Sequence, residues 1–205
     1  MTERSVGSGN AATVAARAAH LAARFVGSLV PRRVSEAQAQ RVRAQLTEAE
    51  YACWERMPRA DRIEGLAVAR RFEKLLAAAR SHYDESLVDT CIAAALVHDV
   101  GKQDAGLGTY RRALATIAGA VAGHDMADAW SLSRGVTRRF GLYLQHAELG
   151  RQRLVVSGGR PDVAQWAAVH HTPSQWSSTG WPRPLCEMLA RADGEVIPRT
   201  SSQDS

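Results

Sequence analysis

A chain of 205 residues with 45% hydrophobic content can close one core and is short for two. Its three cysteines, Cys53, Cys91 and Cys186, are odd in number and scattered, which argues against a disulfide framework or a metal knuckle and sets a reducing, cytoplasmic setting as the expectation. The net charge of +5 is concentrated in residues 1–34 and 110–153, a balance that suits phosphate-bearing partners, although surface arginines more often form a solvated face.

Val14, Ala18, Leu21, Phe25 and Leu29 recur at helical spacing, and Arg17, His20 and Arg24 interrupt the apolar run that a signal peptide needs. The longest weakly polar stretch, Ala113 to Gly123, is far short of the ~20 residues of a membrane helix, so no membrane span is expected. Ser35 with Gln38 and Thr47 with Glu50 have capping-box spacing and predict helices over about 35–46 and 47–56. Pro58 breaks the chain. Asp61 then opens a long helix to about Arg80, with Ile63, Leu66, Phe72 and Leu75-Leu76 on its apolar face.

Asp84 or Ser86 caps the next helix, which runs to His98-Asp99, and Gly101 is expected in the left-handed turn that ends it. A loop at Gly106–Gly108, a small-residue helix around 111–121 and less regular segments through Tyr143 follow. His146 starts a helix ending near Gly158-Gly159, Pro161-Asp162 opens another that reaches His170-His171, and Pro184 precedes a last helix to Asp193. Period-two alternation of useful length is absent, so the expected fold is all-α. Its expected parts are an N-terminal helical extension (1–57) packed on or tethered to a single helical bundle (58–195), and a disordered polar tail (196–205).

The stretch Ala93-Ala-Ala-Leu-Val-His-Asp-Val-Gly-Lys102 carries the chemistry. An apolar helix delivers two adjacent polar groups, and leaving either buried without a partner costs roughly 1–3 kcal/mol. His98 offers an imidazole nitrogen and Asp99 a hard oxygen, a mixture that suits Mn, Fe, Zn or Mg without choosing among them. The plainer reading is that Asp99 only orients His98. A second such dipeptide, His124-Asp125, follows Gly123 and reads with Asp128 as a helix start. Lys102 is one of two lysines against twenty-four arginines, which suits a compact charge beside a phosphate oxygen or a cation at a helix end. Further candidates sit at predicted helix ends: His146, His170, His171 and Asp193. Adjacent histidines on a helix point about 100° apart, so one of His170 and His171 is expected to face a given ion and the other can touch substrate.

In this order the residues resemble the HD-domain superfamily, all-helical metal-dependent phosphohydrolases with a first histidine, a His-Asp pair, sometimes further histidines, and a last aspartate. The resemblance covers roughly residues 58–195 and implies His98, Asp99 and Asp193 as metal ligands, with His146, His170 and His171 as the extra histidines of two-metal members. The family's first histidine lies in an Asp-Arg-x-His setting before Val-Ala-Arg-Arg. In Asp61-Arg62-Ile63-Glu64 before Val68-Ala-Arg-Arg71 that place is taken by Glu64. A carboxylate binds the same hard metals, and Glu64 also has capping-box spacing from Asp61. Gly180-Trp-Pro182 is similar to the Gly-Tyr-Pro of cyclic-dinucleotide-cleaving members, but Thr172 stands where their glutamate belongs, so the similarity is set aside.

The resemblance implies one or two divalent ions, and a bound ion lowers the pKa of water from about 15.7 to about 7. It further implies Asp99 and Lys102 as catalytic groups. Lys102, Arg111, Arg112, Arg138 and Arg139 would screen a small phosphorylated substrate such as a nucleotide. The alternative is a catalytically inactive HD module that senses a ligand or partner, with Glu64 as its support. Nucleic-acid binding through the basic N-terminal helix is disfavoured, because no aromatic residues interleave its arginines. Oligomeric state has no signature in the sequence.

Overall fold

The computed structural model describes residues 33–105 and 145–195. The chain divides into two compact units, Met1–Pro31 and Arg32–Ser205, and every described residue belongs to the second. The helix expected over 14–29, the segments between Gly106 and Tyr143 with their His124-Asp125 pair, and the 196–205 tail lie outside the described residues.

Among the described residues all regular structure is helical and no strand occurs. The α-helices are α1 (Glu36–Gln45), α2 (Glu48–Arg56), α3 (Arg59–Leu76), α4 (Glu85–Val97), α5 (His146–Ser157), α6 (Pro161–Val169) and α7 (Arg183–Asp193). Short 3-10 helices span Arg80–His82, Val100–Ala105 and Pro173–Thr179. No described helix is long and apolar enough to cross a membrane.

Local signals set most helix starts. Both capping boxes close: the Gln38 amide donates to Ser35 Oγ at 3.3 Å and the Ser35 amide to Gln38 Oε1 at 2.9 Å, and Thr47 and Glu50 repeat the exchange at 3.2 and 3.0 Å. Asp84 caps α4 by accepting from the Ser86 amide at 2.8 Å. Two expectations for α3 fail. It begins at Arg59, directly after Pro58, and the Asp61 amide bonds the Pro58 carbonyl at 2.9 Å, so Asp61 lies inside the first turn and forms no capping box with Glu64. It also stops at Leu76, short of Arg80, because Leu76 is its last buried apolar position and Arg80 turns to pair with Glu85.

Helix α4 is the axis of the core. Val88, Cys91 and the run Ala93–Val97 are buried on every side, the pattern of a helix enclosed by neighbours rather than lying on a surface. Its small residues admit close neighbours: a Cβ on Gly65 of α3 would stand 2.5 Å from the Leu96 carbonyl oxygen, so α3 and α4 touch backbone to backbone there. Trp54, Phe72, Leu154, Trp166, Leu185 and Leu189 fill the space around this axis, each contributing about 1.5–3 kcal/mol through burial.

A buried ion pair ties α2 to the start of α6. Glu50, fully buried, accepts at Oε1 from the Arg160 amide (3.0 Å) and Nε (2.9 Å), and at Oε2 from Nη2 (2.7 Å). Residues 36–56 therefore belong to the same packed body as the helices that follow. Burial alone would raise the Glu50 pKa. The Arg160 guanidinium, with the Arg160 and Thr47 amides, more than offsets this and holds it below the usual glutamate range. A depressed folded-state pKa gives stability that is present above the unfolded value and lost as pH falls through the folded one. Arg160→Met is thus expected to lose on the order of 3 kcal/mol at neutral pH, the low end for a broken buried pair because Arg160 is partly exposed. In urea denaturation the gap to the parent protein is expected to narrow as pH falls below the ordinary glutamate pKa; a constant gap would contradict this account.

Candidate metal centre

Four helix ends meet on one side of α4. His98 is its C-cap and Asp99 the residue after, each only 2% exposed, because the apolar helix carries them into the core. His146 opens α5, His170 caps the C-terminus of α6, and Asp193 is the last residue of α7; all three are buried. Three of the four ends are C-terminal, where the helix dipole favours a cation.

Gly101 sets the approach of α5. It does not adopt the expected left-handed conformation, which belongs among the described residues to Gly158, Gly180 and Gly194. Its role is steric: a Cβ there would lie 2.0 Å from the His146 carbonyl oxygen and 2.6 Å from the Gly150 amide nitrogen. The first turn of α5 thus presses on the segment just after Asp99 and brings His146 Nε2 to 3.5 Å from Asp99 Oδ1.

The remaining contacts are equally close. His98 Nε2 lies 3.4 Å from Asp99 Oδ2 and 3.5 Å from Asp193 Oδ1, and Lys102 Nζ reaches Asp99 Oδ2 at 2.5 Å. The His170 ring centroid stands 5.2 Å from that of His98, 5.8 Å from His146 and 3.8 Å from His171. Nδ1 of His98 donates to the Ala95 carbonyl and Nδ1 of His170 to the Ala167 carbonyl, both at 2.9 Å; a carbonyl can only accept, so Nε2 is left in each to take a proton or a metal. His171, 38% exposed at its side chain, has Nδ1 2.8 Å from Glu195 Oε1.

Three groupings place their ligand atoms within 4.8 Å of one another: His98, His170 and Asp193; His146, His170 and His171; and His171, Asp193 and Glu195. Such groupings can hold a metal ion. Within them and beside them, His98 Nε2, His170 Nε2 and Asp99 Oδ1 are buried with no hydrogen bond. Native interiors leave few polar atoms in that condition, and a cation held by the His98, His170 and Asp193 grouping would give the two imidazole nitrogens a partner.

Electrostatics prepare the same atoms. Burial alone would lower the His98 pKa, but the Asp99 and Asp193 carboxylates outweigh it and push the imidazole up to about 9. Burial opposes ionisation of Asp99 as well, yet Lys102, His98, His146 and His170 hold its carboxyl well below the usual range. His170 is kept neutral by burial and by His171 and His98 beside it. A cation bound at His98 Nε2 would have to displace its proton, because only the deprotonated nitrogen carries a lone pair there.

The structure therefore gathers His98, Asp99, Lys102, His146, His170, His171 and Asp193. Glu64 belongs to none of the groupings; its Oε1 accepts from Arg71 Nη2 at 2.9 Å. Arg111, Arg112, Arg138 and Arg139 lie outside the described residues. Glu195 escaped the sequence reading. Its signal was Gly194, whose left-handed conformation (φ 91°) turns the chain back so that the Glu195 amide bonds the Ala190 carbonyl at 2.8 Å and its side chain meets His171.

No family model, curated protein or solved structure matches this chain.

Gly101→Ala is expected to destabilise the protein by about 3 kcal/mol, since its methyl group would meet backbone rather than a movable side chain. Chemical denaturation measures it; a change under about 0.5 kcal/mol, the range of an indifferent surface substitution, would show that α5 does not depend on this contact.

Proposed function

We propose that this chain is a metal-dependent phosphohydrolase of the HD type, acting on a nucleotide or a related small phosphate ester. The observation that carries the reading is the convergence of His98, His170 and Asp193, with buried nitrogens that lack hydrogen bonds, beside a lysine drawn in by Asp99. The order of these residues along the chain, His-Asp first and Asp193 last, adds the resemblance described above.

His98, His170 and Asp193 would hold the first ion, with Asp99 and His146 close enough to join, and His171 offers room for a second. Imidazole-rich donors favour Fe or Zn over Mg, and the carboxylates keep Mn within reach. An ion held there would lower the pKa of a bound water and offer Lewis-acid polarisation to a phosphoryl oxygen. The protein's own groups do the rest. Asp99, held ionised, accepts and passes on the proton of the attacking water, while Lys102 Nζ, near the edge of the cluster, meets a phosphate oxygen as a point charge. Arg111, Arg112, Arg138 and Arg139 remain candidates for further phosphate contacts.

A second reading, an HD module that binds metal and senses a ligand without turnover, is favoured by one observation: the carboxylate at the first family position is engaged by Arg71. Elemental analysis of the purified protein, followed by phosphate release from a panel of nucleotides with Mn2+, separates the two. Stoichiometric transition metal with turnover is expected. His98→Ala and Asp193→Ala are expected to weaken metal binding beyond the about 10–100-fold loss typical of an outer-shell partner. Metal without turnover across the panel supports the sensor; no metal in the parent protein defeats both readings.

A further inference from the structure

We infer that Glu64, together with Arg71, positions Asp193 for the metal rather than ligating it. The inference rests on the metal reading above and concerns how the last ligand is held.

Glu64 and Arg71 lie seven residues apart on α3, two turns along one face. The guanidinium forks between two acceptors: Nη2 donates to Glu64 Oε1 at 2.9 Å and Nε to the Ala192 carbonyl at 2.5 Å. Ala192 is the penultimate residue of α7, where carbonyls lose their intrahelical partners. The Gly194 and Glu195 amides turn back to the Arg191 and Ala190 carbonyls. Arg71, from another helix, supplies the donor for Ala192 and places a positive charge at the negative end of α7.

The bond bears directly on the centre. The Ala192 carbonyl belongs to the peptide that leads into Asp193, so anchoring it fixes the backbone from which that carboxylate reaches His98 at 3.5 Å. Helix termini fray when their last carbonyls are unheld. Glu64 in turn orients the guanidinium, a task that needs a planar fork with donors in two directions, which a lysine ammonium does not reproduce. Where the family places a first ligand, this chain has a strut between α3 and the end of α7. The cluster of histidines at 98, 146, 170 and 171 supplies the nitrogen donors instead.

The test titrates full-length protein with Mn2+ by calorimetry and with Co2+ by visible absorption, using Asp193→Ala as the reference for a lost ligand. Glu64→Gln still presents an oxygen to Arg71 and is expected to weaken binding by about 3-fold at most. Arg71→Ala is expected to weaken it by about 10–100-fold and to alter the Co2+ spectrum, the mark of a displaced ligand rather than of lower stability alone. Arg71→Lys, the milder variant should alanine prevent folding, is expected to fall about 10-fold short of the parent protein. Glu64→Gln binding as poorly as Asp193→Ala would make Glu64 a ligand and overturn the inference. Parent-like affinity and spectrum in Arg71→Ala or Arg71→Lys would overturn it too, with the metal reading left standing. A parent protein that binds neither ion overturns both.

Discussion

The termination of α4 inside the core is the constraint that organises this structure. The C-terminal half of α4 is buried on all sides and cannot expose its last residues, so His98 and Asp99 enter the interior with their polar atoms. Desolvating an imidazole and a carboxylate is costly, and the fold answers by bringing the complementary charges of Lys102, His146 and Asp193 from other points along the chain. Each arrives at a helix end or in the turn just after one. The cluster is therefore a meeting of termini, where backbone dipoles and side-chain charges act on the same small volume.

Close backbone approach makes that meeting possible. Gly65 lets α3 lie against the carbonyl of Leu96, two residues before His98, and Gly101 lets α5 lie against the segment just beyond the His-Asp pair. The two glycines bracket the pair. Side chains at either position would separate the helices, and distances of 3.4–3.5 Å between imidazole and carboxylate atoms tolerate little separation. The Nδ1 bonds to the Ala95 and Ala167 carbonyls then lock ring orientation, so that the donor nitrogens point inward by construction.

Charges farther out serve as struts. The Glu50–Arg160 pair fixes α2 against the start of α6, the helix that ends in His170. Arg71 spans from Glu64 to the Ala192 carbonyl, and Glu195 closes on His171. These pairs differ in burial: in the first the carboxylate is fully buried and only the arginine is partly exposed, whereas in the others both partners are open to solvent and contribute more to geometry than to stability.

Local order in this protein was written in adjacent residues. The capping boxes at Ser35 and Thr47, the Asp84 cap, Pro161 at the start of α6 and the glycine after Ser157 each act within a few positions, so helix type and most helix ends could be read without any partner in view. The polar residues at those ends, His98, Asp99, His146, His170, His171 and Asp193, were legible for the same reason: they stand where a helix stops or, for His146, where one starts. Only the tertiary structure decided that Gly101 is small for the sake of the His146 carbonyl, that α3 ends at Leu76 where burial ends, and that Glu64 faces Arg71. It alone joined Arg71 to Ala192 and Glu195 to His171, pairs separated by 121 and 24 residues. Propensity and capping are properties of short windows, whereas which surfaces touch depends on how every helix packs, and no window contains that information.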